Sequence, residues 1–454
     1  MLQALSRFPR SIFASFSPST MPLMSRRNFR IELSTACLFP FALACVEKGV
    51  IGPIAQKSFA AGGLAIATIA AAPAMANITS FFWTRLLRGR ERVRVANILQ
   101  LCVIACVAGI ALAPVNALGV AWIVVCVLAA RSFMAGIITA RSDLWRANYP
   151  RNARARATGK FTILTALIIV GAAMLIGTAM ELAGDRAMWV FRPMYLAAAV
   201  IGIAGAVVFS RLRWRGRAAV MAEERRLPDP GDTDPSTPRG MLKVLRQDVF
   251  YRRFMFAQFV LGMANLASEA PFIMALQREM ELGYVNSIAL AQAAPFVMPV
   301  LTIPLWARLL DRVHIVRFRA WHSWFFVGAN LLTAIGFLME NLAVLYAARI
   351  LLGVAYGGGA LAWNLGHHDF APKHLASIYM GIHVTLTGVR GAIAPFLGAA
   401  IYADWSLFGG RIAWKGLGPW AFLIFAAGSA IGALLFLRLQ KSIEASGKGS
   451  PPKD

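Results

Sequence analysis

The sequence predicts an all-α integral membrane protein with twelve transmembrane helices in two pseudo-symmetric six-helix bundles. Three observations predict it: a composition poor in charge, twelve apolar runs of membrane-spanning length, and a second half that repeats the first. Of 454 residues, 58% are hydrophobic and 15% charged, whereas soluble globular chains carry about 25% charged residues. The net charge of +25 would suit a nucleic-acid binder if it formed one basic face. Instead the basic residues sit in short blocks between apolar runs, the arrangement the positive-inside rule produces. The expected surroundings are therefore membrane lipid, with no nucleic-acid partner.

A hydrocarbon core about 30 Å thick needs roughly 20 apolar residues per helix. The runs that qualify are 33–54, 62–82, 95–113, 119–140, 161–180, 193–210, 254–276, 285–305, 321–339, 342–365, 378–402 and 417–437. The sixth is the weakest, and the last two flank an aromatic-rich loop with Trp405, Trp414 and Trp420, suited to a membrane interface. The expected organisation is an N-terminal cytoplasmic tail at 1–30, a bundle at 31–210, a cytoplasmic linker at 211–250, a second bundle at 251–438 and a cytoplasmic tail at 439–454. Residues 1–24 contain Pro9, Pro18 and Pro22 and no acid. They form no clean signal-peptide core, so a disordered tail is expected. The linker stretch 218–240 holds Pro228-Asp229-Pro230-Gly231 and Asp234-Pro235, breakers that suit a tether packed against neither bundle. Met241–Phe250 suits a short amphipathic helix.

Charge orients the chain. Of the 46 Lys and Arg residues, 36 fall in the alternate connections that begin with the N-terminal tail and 6 in the opposite set. Both termini are therefore expected in the cytoplasm, in a plasma membrane or, for a bacterium, its inner membrane. The cysteines Cys37, Cys45, Cys102, Cys106 and Cys126 all lie in apolar runs without metal spacing, which suits small apolar packing rather than disulfides or metal ligation.

The halves repeat at a nearly fixed offset. Phe29-Arg30 returns as Tyr251-Arg252, Glu47 as Glu269, Pro73 as Pro295, and Pro150 with Gly159 as Pro372 with Gly381, each 222 residues later. Trp83-Thr84-Arg85-Leu86-Leu87-Arg88 returns as Trp306-Ala307-Arg308-Leu309-Leu310-Asp311 at 223, and Ala129-Ala130-Arg131 as Ala347-Ala348-Arg349 at 218. The order is conserved through all six matches.

This 6+6 repeat, with a long basic central loop, resembles the major facilitator superfamily of secondary transporters over residues 29–440. The family's cytoplasmic signature Gly-x-x-x-Asp-Arg-x-Gly-Arg-Arg survives in the second half as Asp311-Arg312, with Ala307 at the Gly position. In the first half Arg88 stands where Asp is expected, within Arg88-Gly89-Arg90-Glu91-Arg92. The family's Arg-x-x-x-Gly pattern is matched by Arg349, Gly353 and Gly357 in the tenth span. The antiporter pattern of the fifth span is absent, since no Pro separates Gly171 and Gly177. The resemblance implies alternating access between the bundles, a small-molecule substrate, no cofactor and no enzymatic activity. A monomer is expected. The alternative is a non-transporting membrane binding or sensor protein that retains the fold.

Charges inside a bilayer cost about 2.5–3.5 kcal/mol each on insertion scales and persist where they face a cavity or partner. Glu47, Lys48, Arg131, Glu269, Arg349 and Arg390 fall within spans, with Asn265 and His383 as further polar groups. The symmetric acids Glu47 and Glu269 suit either proton coupling or structural pairing with Lys48, Arg131 or Arg390. Arg131 and Arg390 suit either a grip on an anionic substrate or, for Arg390, a salt bridge to Glu269. Arg349 suits snorkelling or a conformational role, His383 a proton relay or packing. Trp83 and Trp306 suit interface anchoring. His367-His368-Asp369 suits a solvated loop, because three consecutive residues cannot converge on one metal ion. No Walker loop is present, so direct ATP drive is not expected. The charge excess within spans favours a small organic anion or zwitterion as substrate.

Overall fold

The computed structural model describes residues 16–226, 238–367, 369–372, 376–407 and 412–446. The first half contains α1 (Arg26–Cys45), α2 (Lys48–Phe59), α3 (Gly63–Leu87), α4 (Arg92–Ala111), α5 (Ala117–Asn148), α6 (Arg151–Ala183) and α7 (Ala187–Phe209). Two short helices, α8 (Arg217–Arg226) and α9 (Pro238–Gln247), lie in the central connection. The second half contains α10 (Val249–Ala267), α11 (Glu269–Arg278), α12 (Tyr284–Ile288), α13 (Ala294–Leu310), α14 (Ile315–Leu338), α15 (Leu342–Leu365), α16 (Ala376–Tyr402) and α17 (Ala421–Ala445). One π-helical turn, Ala289–Ala293, joins α12 to α13. Grouping α1 with α2, α10 with α11, and α12 with α13 gives the twelve spans. Among the described residues, nine segments are long and apolar enough to cross a membrane by themselves. One of these, Arg156–Phe209, holds two successive helices, and α3, with its apolar stretch Gly63–Thr79, and α14 complete the set.

Several helices begin where sequence chemistry supplies an acceptor for the unpaired first N–H groups. The Asn116 side chain accepts from Gly119 N at 3.0 Å, and Asn341 accepts from Val344 N at 3.1 Å. Asp248 accepts from Tyr251 N at 2.9 Å and, through its other oxygen, from Tyr379 Oη at 2.9 Å. The last contact fastens the start of α10 to α16.

The first and seventh spans are each interrupted. α1 stops at Cys45 and α2 resumes at Lys48; α10 stops at Ala267 and α11 resumes at Glu269. Pro271 lacks the N–H that would bond the Ala267 carbonyl, which removes one rung of the helix at this turn. At the equivalent position of the first half stands Gly49, a weak helix former. A Cβ on Gly49 would lie 2.7 Å from the Ala291 carbonyl oxygen, so glycine is what allows α2 to meet the π-turn of the other half backbone to backbone.

Four expectations are corrected. Residues 16–25 are not a loose tail: Met21 is buried beside Phe29, Tyr149 and Phe161, and Ser25 Oγ donates to Asn148 O at 2.8 Å. The first bundle accordingly starts at Arg26 rather than 31; residues 1–15 lie outside the described residues. The stretch 218–226, expected to pack against neither bundle, belongs to α8 and binds the first bundle through Glu224; residues 227–237 lie outside the described residues. Trp83 and Trp306 are not interface anchors but pack inside their bundles. Trp83 Nε1 donates to Thr79 Oγ1 and Trp306 Nε1 to Val354 O. The loop before α17 carries an antiparallel hairpin, β1 (Trp405–Leu407) and β2 (Ile412–Trp414), with Trp405 opposite Trp414.

Candidate functional site

The two helix breaks leave backbone carbonyls without helical partners inside a lipid-facing protein, where each must be satisfied internally. At the first break Tyr195 Oη donates to Cys45 O at 3.0 Å, and Arg131 Nη2 donates to Val46 O at 2.7 Å. The same Arg131 nitrogen lies 2.9 Å from Glu47 Oε2. Arg131 therefore serves as both cap and counter-charge. Its repeat equivalent Arg349 donates through Nε to Leu290 O, at the π-turn, at 2.9 Å. The Arg349 guanidinium lies 4.0 Å from the Phe272 ring centroid, on the face where a cation is attracted. Arg349 is only 4% exposed, which overturns the snorkelling expectation.

The breaks meet across the bundles. Lys48 Nζ, first residue of α2, lies 2.9 Å from Glu269 Oε2, first residue of α11. Tyr356 Oη on α15 donates to Glu269 Oε1 at 2.6 Å. Lys48 keeps 20% of its side chain exposed and Glu269 only 8%. The structure thus brings Glu47, Lys48, Arg131, Glu269 and Arg349 into one centre and adds Tyr356. The repeat points to the acids, but nothing in the sequence marks Tyr356, since a tyrosine in an apolar run reads as packing.

Beyond the breaks, the bundles are fastened at the end away from the basic connections. Gln56 Nε2 donates to Met274 O at 3.1 Å, Ser58 Oγ and Tyr284 Oη share a hydrogen bond of 2.8 Å, and Lys57 Nζ donates to Leu282 O. Val285 N donates to Glu181 Oε2 at 3.0 Å. Each joins a first-half residue to a second-half residue.

Arg390 and His383 lie elsewhere. Arg390 Nη1 donates to Gln258 O at 2.5 Å within the second bundle, so the expected salt bridge to Glu269 does not form. His383 is buried, with its ring 5.9 Å from that of Trp363. Gly353 and Gly357 let α15 approach α13: a Cβ at the first would lie 2.7 Å from Met298 Cβ, and at the second 2.4 Å from Thr302 Oγ1.

At the basic end, Arg88 Nε donates to the Glu224 backbone oxygen at 3.1 Å, and Gly89 N donates to Glu224 Oε2 at 2.8 Å. Arg92 pairs with Asp143 at 2.8 Å and with Glu224. Arg217 pairs with Glu91 at 2.8 Å. Where the family signature calls for Asp, this chain has Arg88, and α8 brings a carboxylate to the same turn. Asp311 and Arg312 are exposed at the end of α13. Asp369 Oδ2 accepts from Ile315 N at 2.8 Å, placing a negative charge at the positive start of α14. His368 lies outside the described residues.

Two interrupted helices related by a repeat, meeting through charged residues between two six-helix bundles, define a polytopic carrier architecture. The sequence model of the Major Facilitator Superfamily matches residues 33–321 and 272–453, and the chain belongs to that superfamily of membrane transporters. Among solved structures it is similar to a mutant form of the nucleoside transporter NupG at 13% identity, with TM-score 0.69, covering 90% of this chain and 99% of that one. It is similar to the peptide transporter POT in complex with sulfate at 14% identity, TM-score 0.68, covering 95% and 98%. It is also similar to a D-xylose-proton symporter at 12% identity, TM-score 0.65, covering 91% and 97%. These likenesses concern the fold. No curated protein matches the sequence.

Proposed function

We propose that the protein is a secondary transporter that moves a small solute by alternating access, with the Glu47, Lys48, Arg131 and Glu269 centre coupling solute movement to protons. The observation that carries the reading is the Lys48–Glu269 pair at 2.9 Å. It joins the two bundles at the point where both helices are broken, so a change in solute or proton occupancy there acts on how the bundles meet. With Arg349 beside it, the centre holds three cations, Lys48, Arg131 and Arg349, against the carboxylates of Glu47 and Glu269, which fits a small organic anion or zwitterion better than a cation. The related structures are described as transporting nucleosides, peptides or xylose with protons, and solutes of those sizes form the starting panel. The test is flux in proteoliposomes with and without an imposed pH gradient. Gradient-driven accumulation of a panel member is expected. Saturable binding without flux would instead support a membrane binding protein, a reading favoured by Arg88 in the first-half signature.

The same proposal takes the protein as a plasma-membrane monomer with both termini and the central connection cytoplasmic; the orientation is supported by 36 basic residues against 6 in alternate connections. Reporter fusions after Ala183 and after Gly231 should report opposite sides. The same side for both would overturn the orientation.

A further inference from the structure

The second bundle buries two guanidinium groups away from the broken-helix centre. Arg319 on α14 is 2% exposed and Arg390 on α16 is 7% exposed. They share one residue of α10: Arg319 Nη2 donates to Gln258 Oε1 at 2.6 Å, and Arg390 Nη1 donates to Gln258 O at 2.5 Å. Gln258 precedes Glu269 by eleven residues, about 16 Å of helix. The Arg390 guanidinium fills a notch at Gly262, where a Cβ would lie 2.3 Å from its central carbon. Arg319 also donates through Nη1 to His322 Nδ1 at 3.0 Å, while His322 Nε2 lies 2.7 Å from Ala355 O. A nitrogen that accepts from arginine carries no proton, so the other donates to the carbonyl and His322 is neutral. Histidine therefore brings neither a positive nor a negative charge.

Among the described residues, no carboxylate forms an ion pair with either arginine. Glu269, Glu47 and Glu32 are engaged instead by Lys48, Arg131 and Arg141. Arginine does not lose its proton in proteins, and an uncompensated buried cation is strongly unfavourable. One face of α16 adds further donors. His383, Thr387 and Arg390 recur at helical spacing. Among the described residues, both His383 ring nitrogens, Thr387 Oγ1, Arg390 Nε and Arg319 Nε have no hydrogen-bond partner despite being buried. Such groups are seldom left unpaired. Nearly all of them are donors, so what satisfies them together is an acceptor, and the two cations make it a negatively charged one.

We infer that Arg319, Arg390, Thr387 and His383 form a binding site inside the second bundle for a small inorganic anion, held as a resident counter-ion and not as the moving solute. The anion neutralises charge that the fold buries and locks α16 to α10 and α14. The first half offers no equivalent: 222 residues earlier, Asn97 and Ile168 stand in place of Arg319 and Arg390. The site is therefore a feature of one bundle and not of the symmetric transport centre, and it does not depend on the transport reading.

The test is thermal unfolding of the purified full-length protein in sodium gluconate, with gluconate replaced stepwise at constant ionic strength by chloride, bromide, nitrate, sulfate or phosphate. At least one of these anions is expected to raise the midpoint saturably, as a ligand specific to the folded state does. General salt exclusion acts without saturation and irrespective of the arginines. Arg390→Gln and Arg319→Gln should weaken the apparent affinity at least about tenfold, since each removes a charged hydrogen-bond donor. The exposed Arg308→Gln should leave it unchanged. If either buried-arginine variant fails to fold, Thr387→Val keeps the charge and should still weaken the effect severalfold. A wild-type midpoint that is identical in gluconate and all five anions overturns the inference. So does an anion response whose apparent affinity is unchanged in the arginine variants, or in Thr387→Val.

Discussion

Replacing Glu269 by glutamine is expected to abolish accumulation driven by a pH gradient while leaving solute exchange largely in place. Glutamine keeps the shape of the side chain and can still accept from Tyr356 Oη, which lies 2.6 Å from Glu269 Oε1. It cannot take up a proton and cannot neutralise Lys48 at 2.9 Å. Removing one partner of a buried pair costs about 3–5 kcal/mol. The 20% exposure of Lys48 places this case at the lower end. About 3 kcal/mol is a population change of roughly two orders of magnitude, enough to alter how long the bundles stay joined at this point. Exchange needs only solute movement in both directions through whichever states remain. Net accumulation needs the proton, so the two assays separate under this variant. Glu47→Gln makes the paired comparison, because Glu47 answers Arg131 within one bundle at 2.9 Å and does not cross to the other. An unchanged pH dependence of uptake in both single variants would rule out coupling through this centre.

The broken helices explain why the charges can exist where they do. A continuous helix satisfies its own carbonyls, and an arginine beside it would have only a carboxylate to meet. The breaks expose Cys45 O and Val46 O, and Tyr195 and Arg131 donate to them. Arg131 is thus held by backbone as well as by Glu47. This suits a carboxylate that must change charge without its partner swinging away, and it makes Arg131 a poorer free anion grip than its mid-span position suggests. The basic excess within spans lies instead at Arg319 and Arg390.

The number of spans, their approximate positions and the symmetric acids were legible because apolar length and repeat register survive averaging over a run. The breaks were not, since apolarity is continuous through Ala44-Cys45-Val46 and the interruption depends on Gly49 and Pro271 in context. Arg319 was missed for a related reason. The apolar run opens at 321, yet α14 starts at Ile315, so Arg319 lies more than a turn inside the helix. A helix needs only hydrogen-bonded backbone to continue, so its end is not set by where apolar side chains stop. Glu224 was illegible because its partner Arg92 is 132 residues away, beyond any local pattern. The role of Arg349 depended on whether it reached headgroups, and the neighbours of Arg349 and Lys48 — Phe272, Leu290 and Glu269 — come from other elements of the fold.

Glu32 was missed by one residue, lying just before the first apolar run, and it carries the second large effect. Its side chain is 0% exposed. It pairs with Arg141 on α5 and accepts from Trp145 Nε1 at 2.9 Å. The Arg141 guanidinium lies 5.1 Å from the Trp145 ring and 6.0 Å from that of Phe209 on α7. Three spans of the first bundle therefore converge on one carboxylate. Glu32→Leu leaves Arg141 buried without its counter-charge and Trp145 without its acceptor, a loss of about 3–5 kcal/mol. The thermal midpoint of the purified protein should fall sharply. Arg141→Met alone strands Glu32 and should do comparable damage. The double variant Glu32→Leu, Arg141→Met removes both charges together, and apolar replacement of a buried pair is often neutral. It should therefore recover more than half of the midpoint lost in Glu32→Leu, even though Trp145 still lacks an acceptor. Recovery identifies charge balance as the reason for the pair, since two independent packing defects would add instead. A double variant less stable than either single one would show that Glu32 and Arg141 stabilise the bundle by shape and hydrogen bonding, not as an ion pair.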